Sequence, residues 1–370
     1  MMNSQPSPIL LLGVGGAGAA MVRGVLRSYG PGIRAMAIDT DAQSGAVGDI
    51  LFLLLGGNRL AGRGTGGQPA SARAAFQDTP SLLDSALEGV RTVVIVTALG
   101  GGTGGGATGE ILKHLHTLGI ATIVFATLPF AFEGARRSQL ARASIGSIEQ
   151  HADVSVFLPL DELVAGAGTD NMRDALSRSV DTMSLGVTLL WRVLEKPGYI
   201  MFDPERLRNI LSGCGRAQFA TATAQGPDRA GAVLAALSEN PFLKRDADSA
   251  HVRTLLVGVL AGDDLRLSEV GAVASGLSAA FGQGATLELG TVNDEETFSG
   301  RLTVVVLVFN ESATAMRKTP ADAPRRAAMR QNGGRAFART DRFRHSDATM
   351  WNDEDLDIPT FIRRQLTLDR

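Results

Sequence analysis

Two glycine-rich segments in the first third of this chain have the composition and placement of loops that hold phosphate. In the longer one, six of the seven residues from Gly100 to Gly106 are glycine, between an apolar run at 93–96 and a helical pattern that stops near Gly119. Glycine costs about 0.5–1 kcal/mol relative to alanine inside a regular element. Backbone N–H groups free of side chains, placed before a helix, form an anion-binding concavity. The segment therefore predicts a phosphate loop, although it lacks the GxxxxGK[ST] pattern of the common P-loop.

The second segment, from Gly13 to Gly18, reads GxGxxG and also lies between an apolar run and a helical pattern. Asp39 follows about twenty residues later at the end of the next predicted strand, which matches a dinucleotide-binding fingerprint. One hypothesis is therefore a Rossmann-type, NAD-dependent oxidoreductase. Two glycine loops at one sheet edge instead favour a longer polyphosphate held between them. The second half of the chain also lacks a persuasive catalytic histidine or lysine constellation.

The elements that must position these loops alternate between strands and helices. This order predicts an α/β fold with a parallel sheet covered on both faces. A helical pattern from Met172 through Leu194 stops at Pro197 and Gly198, and it predicts a long helix packed along its whole length. Eight apolar runs are predicted strands: 9–12, 34–38, 93–96, 121–126 and 154–158 in the first half, and 255–260, 286–289 and 302–309 in a smaller α+β domain.

Composition narrows the class of protein. The chain has 370 residues, 44% hydrophobic and 20% charged, which suits two domains with their own cores. A formal net charge of −2 argues against a dedicated nucleic-acid binder. The single cysteine, Cys214, and five scattered histidines predict no disulfide and no metal site. No apolar run reaches the roughly 18 residues of a membrane span, and the start of the chain does not resemble a signal peptide, so we expect a cytoplasmic protein.

The C-terminal part changes character after the last predicted strand. Residues 311–350 carry nine Lys and Arg against four Asp and Glu, with little apolar periodicity. Such a composition is typical of a disordered tether. Residues 351–370 regain apolar side chains, which favours a partner-binding peptide at the end of the tether.

Together these motifs resemble the FtsZ family of bacterial cell-division GTPases, in the tubulin superfamily. The run Gly100–Gly106 matches the glycine signature of that superfamily, and the tail DLDIPTFIRRQ (355–365) resembles the FtsZ peptide that docks membrane tethers such as FtsA. Further matching segments are IDTDAQ (38–43), GRGTGGQP (62–69), TLPFAFEGARR (127–137), PLDEL (159–163) and GDDLRLSEV (262–270). The resemblance implies a GTP-binding domain (1–170), a central helix (171–200), a C-terminal α+β domain (201–310), a disordered basic linker (311–350) and a partner-binding peptide (351–370).

The resemblance also implies a site for GTP and GDP, with Mg²⁺ as a candidate companion ion. Glu133 and Arg137 match the pair that contacts the ribose region. Asp181 matches the aspartate that accepts hydrogen bonds from N1–H and the 2-amino group of guanine. The predicted nucleotide-binding residues of the two glycine segments are Gly15, Gly16, Ala17, Gly18, Ala19, Ala20, Gly101, Gly102, Thr103, Gly104 and Gly105. Among them, Gly16 to Ala20 and Gly102 to Gly104 would hold the phosphates, largely through backbone N–H groups. The predicted tether-binding residues are Asp357, Ile358, Pro359, Phe361, Ile362 and Arg363.

Three residues near the nucleotide depart from the family pattern. Ala20 stands where members usually have asparagine, Leu176 where an aromatic ring lies near the base, and Gly105 where a small hydroxyl residue is usual. Stacking on an aromatic ring is worth on the order of 1 kcal/mol. We therefore expect nucleotide affinity below the family norm.

The largest departure is in the segment MFDPERLRN, residues 201–209. In the family this loop enters the nucleotide site of the next subunit, where its acids orient the attacking water. Here Asp203 is kept, but Met201 replaces an asparagine and Arg206 replaces the second acid. Arg206 could stabilise γ-phosphate charge as arginine fingers do, and Glu205 could substitute for the missing acid. We expect weakened hydrolysis.

The resemblance implies a GTP-binding cytoskeletal protein that polymerises head to tail into protofilaments for the division ring and hydrolyses GTP between subunits. The expected partners are further copies of the chain and a membrane tether such as FtsA. The expected location is the cytoplasm, at the division site. Three alternatives stay open at this stage: an FtsZ-like scaffold polymer with little or no hydrolysis, a Rossmann oxidoreductase, and a tubulin-like segregation protein, which the tail disfavours.

Overall fold

The computed structural model describes residues 7–29, 32–45, 50–163, 171–195, 198–202, 211, 214–243, 252–282, 284–310, 350–351 and 354–355. Its strands are β1 (Ile9–Val14), β2 (Ala35–Asp39), β3 (Leu51–Leu54), β4 (Thr92–Ala98), β5 (Ala121–Leu128), β6 (Val154–Pro159), β7 (Gly215–Gln225), β8 (Val252–Ala261), β9 (Thr286–Asn293), β10 (Arg301–Asn310), β11 (Met350–Trp351) and β12 (Glu354–Asp355). Its helices are α1 (Gly15–Tyr29), α2 (Gly57–Leu60), α3 (Pro69–Gln77), α4 (Gly102–Thr117), α5 (Ala135–His151), α6 (Leu160–Leu163), α7 (Met172–Glu195), α8 (Arg229–Glu239), α9 (Leu267–Phe281) and α10 (Glu295–Phe298).

Ten strands form one continuous sheet in the order β3-β2-β1-β4-β5-β6-β7-β10-β8-β9. The first six are mutually parallel, because helices or other crossover connections return the chain to the same edge between them. Beyond β6 the sheet becomes mixed: β10 is antiparallel to both β7 and β8, and β9 is parallel to β8. The predicted fold class, a parallel α/β part followed by a smaller α+β part, is confirmed.

The two parts of the sheet meet at a narrow seam. Only two residue pairs, Val154 with Gly215 and Ser155 with Arg216, join β6 to β7. In contrast, β10 pairs with β7 from Arg301 to Phe309. Backbone pairing therefore contributes little at the seam, and side-chain packing has to hold the two parts together.

Helix α7 supplies much of that packing. The apolar stripe predicted along it is buried from Met183 to Leu190, but the prediction that it packs along its whole length is wrong at Leu176, which is 45% exposed. Met183 and Val187 belong to a core cluster that also contains Val96 of β4 and Leu256 of β8. The helix therefore packs against both parts of the sheet, as its long stripe indicates. The other face of the parallel part is covered by α3, α4 and α5, and the other face of the mixed part by α8 and α9.

A polar network fixes the C-terminal end of α7. Arg192, which is buried, forms an ion pair with Asp294 at the start of α10 and lies over the ring of Tyr29 at the end of α1. The Tyr29 hydroxyl donates to Glu195 over 2.9 Å. Burial and this carboxylate raise the pKa of Tyr29 well above its ordinary value. One end of α7 is thus tied to elements of both parts of the sheet.

Several boundaries differ from the sequence predictions. Strands β3 and β7 were not predicted, because LFLL is a short half-exposed edge strand and GRAQFATATAQ is rich in small residues. Helix α1 begins at Gly15 rather than near Ala19, and α4 begins at Gly102, so most of the glycine run predicted as a loop is helical. Glycine has a low intrinsic helix propensity. At these positions tertiary packing outweighs that low propensity.

Several predictions concern residues outside the described part of the chain. Asp203, Glu205 and Arg206 belong to this group, as do residues 311–349 and the tether-binding positions from Asp357 to Arg363. Strands β11 and β12 form a short antiparallel pair, in which Met350 pairs with Asp355 and Trp351 with Glu354. The proposed linker and peptide stay predictions.

Candidate nucleotide site

The carboxyl ends of five parallel strands border an open cleft of about 520 Å³. This is where ligands bind in open α/β sheets, and the volume lies within the range of roughly 300–1,000 Å³ usual for small-molecule sites. The cleft is lined by the residues that follow β1 (Gly15, Gly16, Ala17), β2 (Thr40, Asp41, Ser44), β4 (Leu99, Gly101, Gly102, Thr103, Gly104), β5 (Pro129, Glu133, Arg137) and β6 (Leu160), together with Val14, Asp39, Ala98, Thr127, Leu176 and the segment from Arg63 to Gly67.

The turn from β1 into α1 brings backbone close to the cleft. Gly15 has a φ of 79°, in the left-handed region, so the chain changes direction there without a Cβ clash. Three residues on, a Cβ at Gly18 would lie 2.5 Å from the carbonyl oxygen of Val96 on β4. The glycines of this segment therefore serve two purposes: Gly15 shapes the turn, and Gly18 lets α1 pack against the sheet.

The turn from β4 into α4 repeats this arrangement. Gly100 has a φ of 90°, and α4 starts two residues later at Gly102. A Cβ at Gly104 would lie 2.3 Å from the carbonyl oxygen of Ala98. Both α1 and α4 thus direct their N-terminal ends into the cleft. Each helix end carries the equivalent of roughly half a positive charge, so the cleft floor attracts an anion.

Hydroxyl and carboxylate groups connect the two glycine segments to β2. The hydroxyls of Thr40 and Thr103 lie 2.7 Å apart and are buried. Asp39, only 4% exposed, accepts hydrogen bonds from the Thr40 N–H at 2.7 Å and from the Ser44 hydroxyl at 2.6 Å. These bonds hold the end of β2 against the start of α4, and so they fix the shape of the cleft floor.

Glu133 and Arg137 lie together on the cleft wall that follows β5. One Glu133 oxygen accepts from the Phe130 N–H over 2.9 Å, and the other pairs with the Arg137 guanidinium. The arginine side chain is more exposed than the carboxylate, 59% against 17%. The wall therefore presents a cation that is already neutralised by its neighbour.

Helix α7 reaches the cleft through Leu176, which is 45% exposed and lines it. Asp181 is exposed on the same helix, five residues further along, or about 7.5 Å along the axis. Asp181 is not among the cleft-lining residues. The contact of Asp181 with a guanine base stays a prediction.

The structure brings most of the predicted nucleotide residues together. Nine line the cleft: Gly15, Gly16, Ala17, Gly101, Gly102, Thr103, Gly104, Glu133 and Arg137. Gly18, Ala19 and Gly105 are buried beside it; Ser144, for example, donates its hydroxyl hydrogen to the Gly105 carbonyl oxygen. Ala20 is partly buried on α1. Their contacts with a nucleotide stay predictions.

Two groups of lining residues had no role assigned from the sequence. Thr40, Asp41 and Ser44 follow β2, and the segment from Arg63 to Gly67 precedes α3. Both lie in segments that resemble the family, but their residue types are common in ordinary surface turns. The four glycines at 62, 64, 66 and 67 were the sequence signal that could have revealed the second group. All four adopt the left-handed backbone conformation that favours glycine.

The described residues show neither a metal-binding cluster nor a membrane-spanning helix. They contain no group of three or more His, Cys, Asp or Glu side chains arranged to hold a metal ion. None of their helices combines the length and apolar character needed to cross a bilayer.

Comparison with known proteins identifies the class that this fold and cleft define. Residues 8–167 match the GTPase domain of the Tubulin/FtsZ family, and residues 215–310 match the C-terminal domain of the FtsZ family. The first range contains all the cleft residues up to Leu160, and the second covers β7 to β10. The chain is thus built on a tubulin-type GTPase domain.

Similar proteins narrow this class further. Cell division protein FtsZ of Pseudomonas putida is 32% identical over 297 residues, which cover 80% of this chain and 74% of that protein. The Pseudomonas aeruginosa protein of the same name is 29% identical, with 98% of each chain covered. The chain therefore belongs to the FtsZ family, and the NAD-dependent oxidoreductase hypothesis is discarded.

Solved structures agree with this assignment. An empty FtsZ dimer from M. jannaschii superimposes with a TM-score of 0.77 at 25% identity, covering 84% of this chain and 90% of that one. A GTPγS-bound protofilament of CetZ2 from Haloferax volcanii has the same fold, with a TM-score of 0.70 at 22% identity and coverage of 84% and 95%.

Proposed function

We propose that the chain binds GTP and GDP in this cleft and polymerises head to tail as a cell-division protein. One observation carries the proposal: two glycine-rich helix starts, at Gly15 and Gly102, point into one cleft at the carboxyl edge of a parallel sheet. Backbone N–H groups at both helix starts can hold successive phosphates of one nucleotide. Family membership makes that nucleotide a guanine nucleotide.

The remaining contacts follow the wall of the cleft. Glu133 and Arg137 would contact the ribose region, and Asp181 would accept from N1–H and the 2-amino group of guanine. Leu176 provides an apolar contact near the base, weaker than the stacking of an aromatic ring. Asp41 lines the cleft, and Mg²⁺ typically takes one or two carboxylates together with phosphate oxygens, so the cleft fits a Mg²⁺ ion bound with the nucleotide.

Hydrolysis is proposed to occur between subunits. Residues 199–202 lead towards the segment that carries Asp203, Glu205 and Arg206, and they run beside β9: the Ile200 N–H donates to the Thr291 hydroxyl and the Thr291 N–H to the Ile200 carbonyl. In this proposal the segment enters the cleft of the next subunit, where Asp203 orients the attacking water. The arginine at position 206 is the feature that supports the alternative, a scaffold polymer with little hydrolysis.

The domain organisation is proposed to follow that of the family, with the C-terminal residues connecting the polymer to the membrane. Residues 1–170 form the nucleotide-binding domain, 171–200 the central helix and 201–310 the C-terminal domain. Residues 311–350 act as a linker, and 351–370 bind a tether such as FtsA at the division site. The likeness to FtsZ across 98% of the chain supports this arrangement.

A comparison of nucleotides tests the proposal. The purified full-length chain should bind GTP and GDP in isothermal titration, and ATP and NAD much more weakly. Addition of GTP should move the protein into the pellet on high-speed sedimentation. Tight binding of NAD without GTP, or GTP binding with no sedimenting polymer over a wide range of protein concentration, would contradict it.

A further inference from the structure

We propose that the carboxylate of Asp39 opposes phosphate binding in the cleft and holds the affinity for nucleotide below what the two helix ends alone would give. The inference rests on the proposed function, because the phosphates belong to the nucleotide proposed for the cleft. Besides fixing the shape of the cleft floor, Asp39 then sets the strength with which the floor holds an anion.

Asp39 ends β2 and lines the cleft, and its carboxylate lies beside the first turn of α1. A Cβ placed on Gly16, the second residue of α1, would lie 3.6 Å from Oδ2 of Asp39 and 3.3 Å from the Ser44 hydroxyl oxygen. On the other side, the Thr40 N–H donates to Oδ1 of Asp39, and the Thr40 hydroxyl contacts that of Thr103 in the first turn of α4. The carboxylate is therefore close to both helix starts.

The hydrogen-bond partners of this carboxylate carry no positive charge. It accepts one hydrogen bond from the Thr40 N–H and one from the Ser44 hydroxyl. Among the residues that the structure describes, no Lys, Arg or His side chain forms an ion pair with Asp39. Because Asp39 is almost fully buried, water offsets little of its charge. The positive N-terminal ends of the helices offset it instead, and these are the same groups that would hold phosphate.

A phosphate on the cleft floor would have to share those helix ends with Asp39. Like charges a few ångströms apart repel one another more strongly where water is partly excluded, because the effective dielectric constant is lower there. In the empty cleft, by contrast, the carboxylate stabilises the fold, since a negative charge at a helix N-terminus is favourable. One side chain thus has two opposite effects: it stabilises the empty protein and weakens the binding of the nucleotide.

The test removes the charge and keeps the shape of the side chain. Affinities are measured on single subunits, below the concentration of assembly and with EDTA present, so that no divalent cation offsets the carboxylate. Asp39→Asn should raise the affinity for GTP and GDP by about tenfold, the size expected for repulsion between charges several ångströms apart near a protein surface. Guanosine, which carries no phosphate, should bind both forms equally in competition with labelled GDP. The nucleotide-free variant should melt at a lower temperature than the unaltered chain, because the helix end loses its anion.

Asp153→Asn is the matched control. The Asp153 carboxylate likewise accepts from a backbone N–H and a hydroxyl, both of Thr122, over 2.9 and 3.1 Å, but it does not line the cleft. This substitution should lower the melting temperature and change neither affinity. A second variant of the cleft residue, Asp39→Ser, removes the same charge with a smaller side chain and should raise both affinities as Asp39→Asn does.

Unchanged or lower affinity for GTP and GDP in the two Asp39 variants would overturn the inference while leaving the proposed function intact. Failure of both variants to fold would also overturn it, because the carboxylate would then serve folding alone. An equal gain for guanosine would show that the effect is not one of charge. A wild-type chain that binds neither guanine nucleotide would instead overturn the proposed function, and the inference with it.

Discussion

We expect guanine selectivity in the proposed site to depend on an exposed carboxylate, Asp181 on α7. This carboxylate would accept hydrogen bonds from N1–H and the 2-amino group of guanine, and adenine lacks both donors. Asp181→Ala should therefore lower GTP affinity by at least about tenfold, since a hydrogen bond to a charged group is worth about 1.5–3 kcal/mol, and should leave weak ATP binding as it was. Titration calorimetry checks both affinities. Asp78→Ala, which removes an exposed aspartate away from the cleft, is the control; equal GTP affinity in both variants would remove Asp181 from the site.

From the sequence, a place in the cleft could be assigned only to residue types that are rare in ordinary turns. Consecutive glycines before a helix have few uses besides close approach, so the segments at Gly15 and Gly102 were assigned correctly to one cleft. Arg63 and Thr40 were not assigned a role, because an arginine in a glycine-rich turn and a threonine after a strand are usually surface residues. Their importance depends on tertiary position, which brings Thr40 within 2.7 Å of Thr103 across 63 positions of sequence.

At the scale of elements, the glycine run shows how packing can override helix propensity. A Cβ at Gly106 would lie 2.1 Å from the carbonyl oxygen of Pro69 at the start of α3, so α3 and α4 can approach only because the residue is glycine. The parallel α/β class and the long helix were predictable, because the buried strands are continuous apolar runs and α7 carries strong apolar periodicity. The helical state of the glycine run was not, since the close approach at Gly106 involves a neighbour 37 positions away (106 − 69).

A pair of glycine substitutions in two neighbouring helices tests this account. Gly106→Ala should lower the free energy of unfolding by about 2 kcal/mol or more, because backbone at α3 cannot move aside without strain. Gly146→Ala, in α5, should raise it by about 0.5–1 kcal/mol, because a Cβ there meets nothing within 4 Å and alanine is the better helix former. Chemical denaturation measures both. Equal effects in the two variants would show that intrinsic propensity, rather than the contact with Pro69, decides the cost.

At the scale of the whole molecule, hydrolysis should depend on the segment around Asp203 and Arg206, which is proposed to enter the site of the next subunit. Loss of a water-orienting acid costs on the order of 10²–10⁴ in rate, so we expect slow GTP turnover. Arg206→Asp should raise turnover per polymerised subunit if the arginine stands in for a lost acid, and lower it if the arginine stabilises γ-phosphate charge. Phosphate release normalised to sedimented protein measures this.

Asp203→Ala supplies the control for the same segment. It should reduce turnover while leaving nucleotide binding by single subunits unchanged, because the carboxylate is proposed to act on the neighbour's site. Turnover as fast with Asp203→Ala and Arg206→Asp as in the unaltered chain would show that another group orients the water.

Tether binding should be separable from assembly. Deleting residues 351–370 should leave GTP-dependent sedimentation unchanged and abolish binding to the membrane tether, because the proposed docking peptide has no part in the proposed nucleotide site. If residues 311–350 act as a random coil, as proposed, their reach is on the order of 35 Å. Co-sedimentation with a tether such as FtsA on vesicles measures binding. A truncated chain that still binds the tether would exclude the peptide as the docking site.

The strand order also determines when each strand can pair while the chain is being synthesised on the ribosome. Strands β1 to β6 are complete once Pro159 has emerged, and each strand from β2 to β6 pairs with a strand already made. In the mixed part, β10 lies between β7 and β8 but is translated last. At about 5–20 residues per second, β7 waits on the order of 10 s for its partner. Stalled nascent chains should therefore show a protease-resistant first half well before the second, which becomes resistant only after Asn310 leaves the exit tunnel; simultaneous protection of both halves would contradict this order.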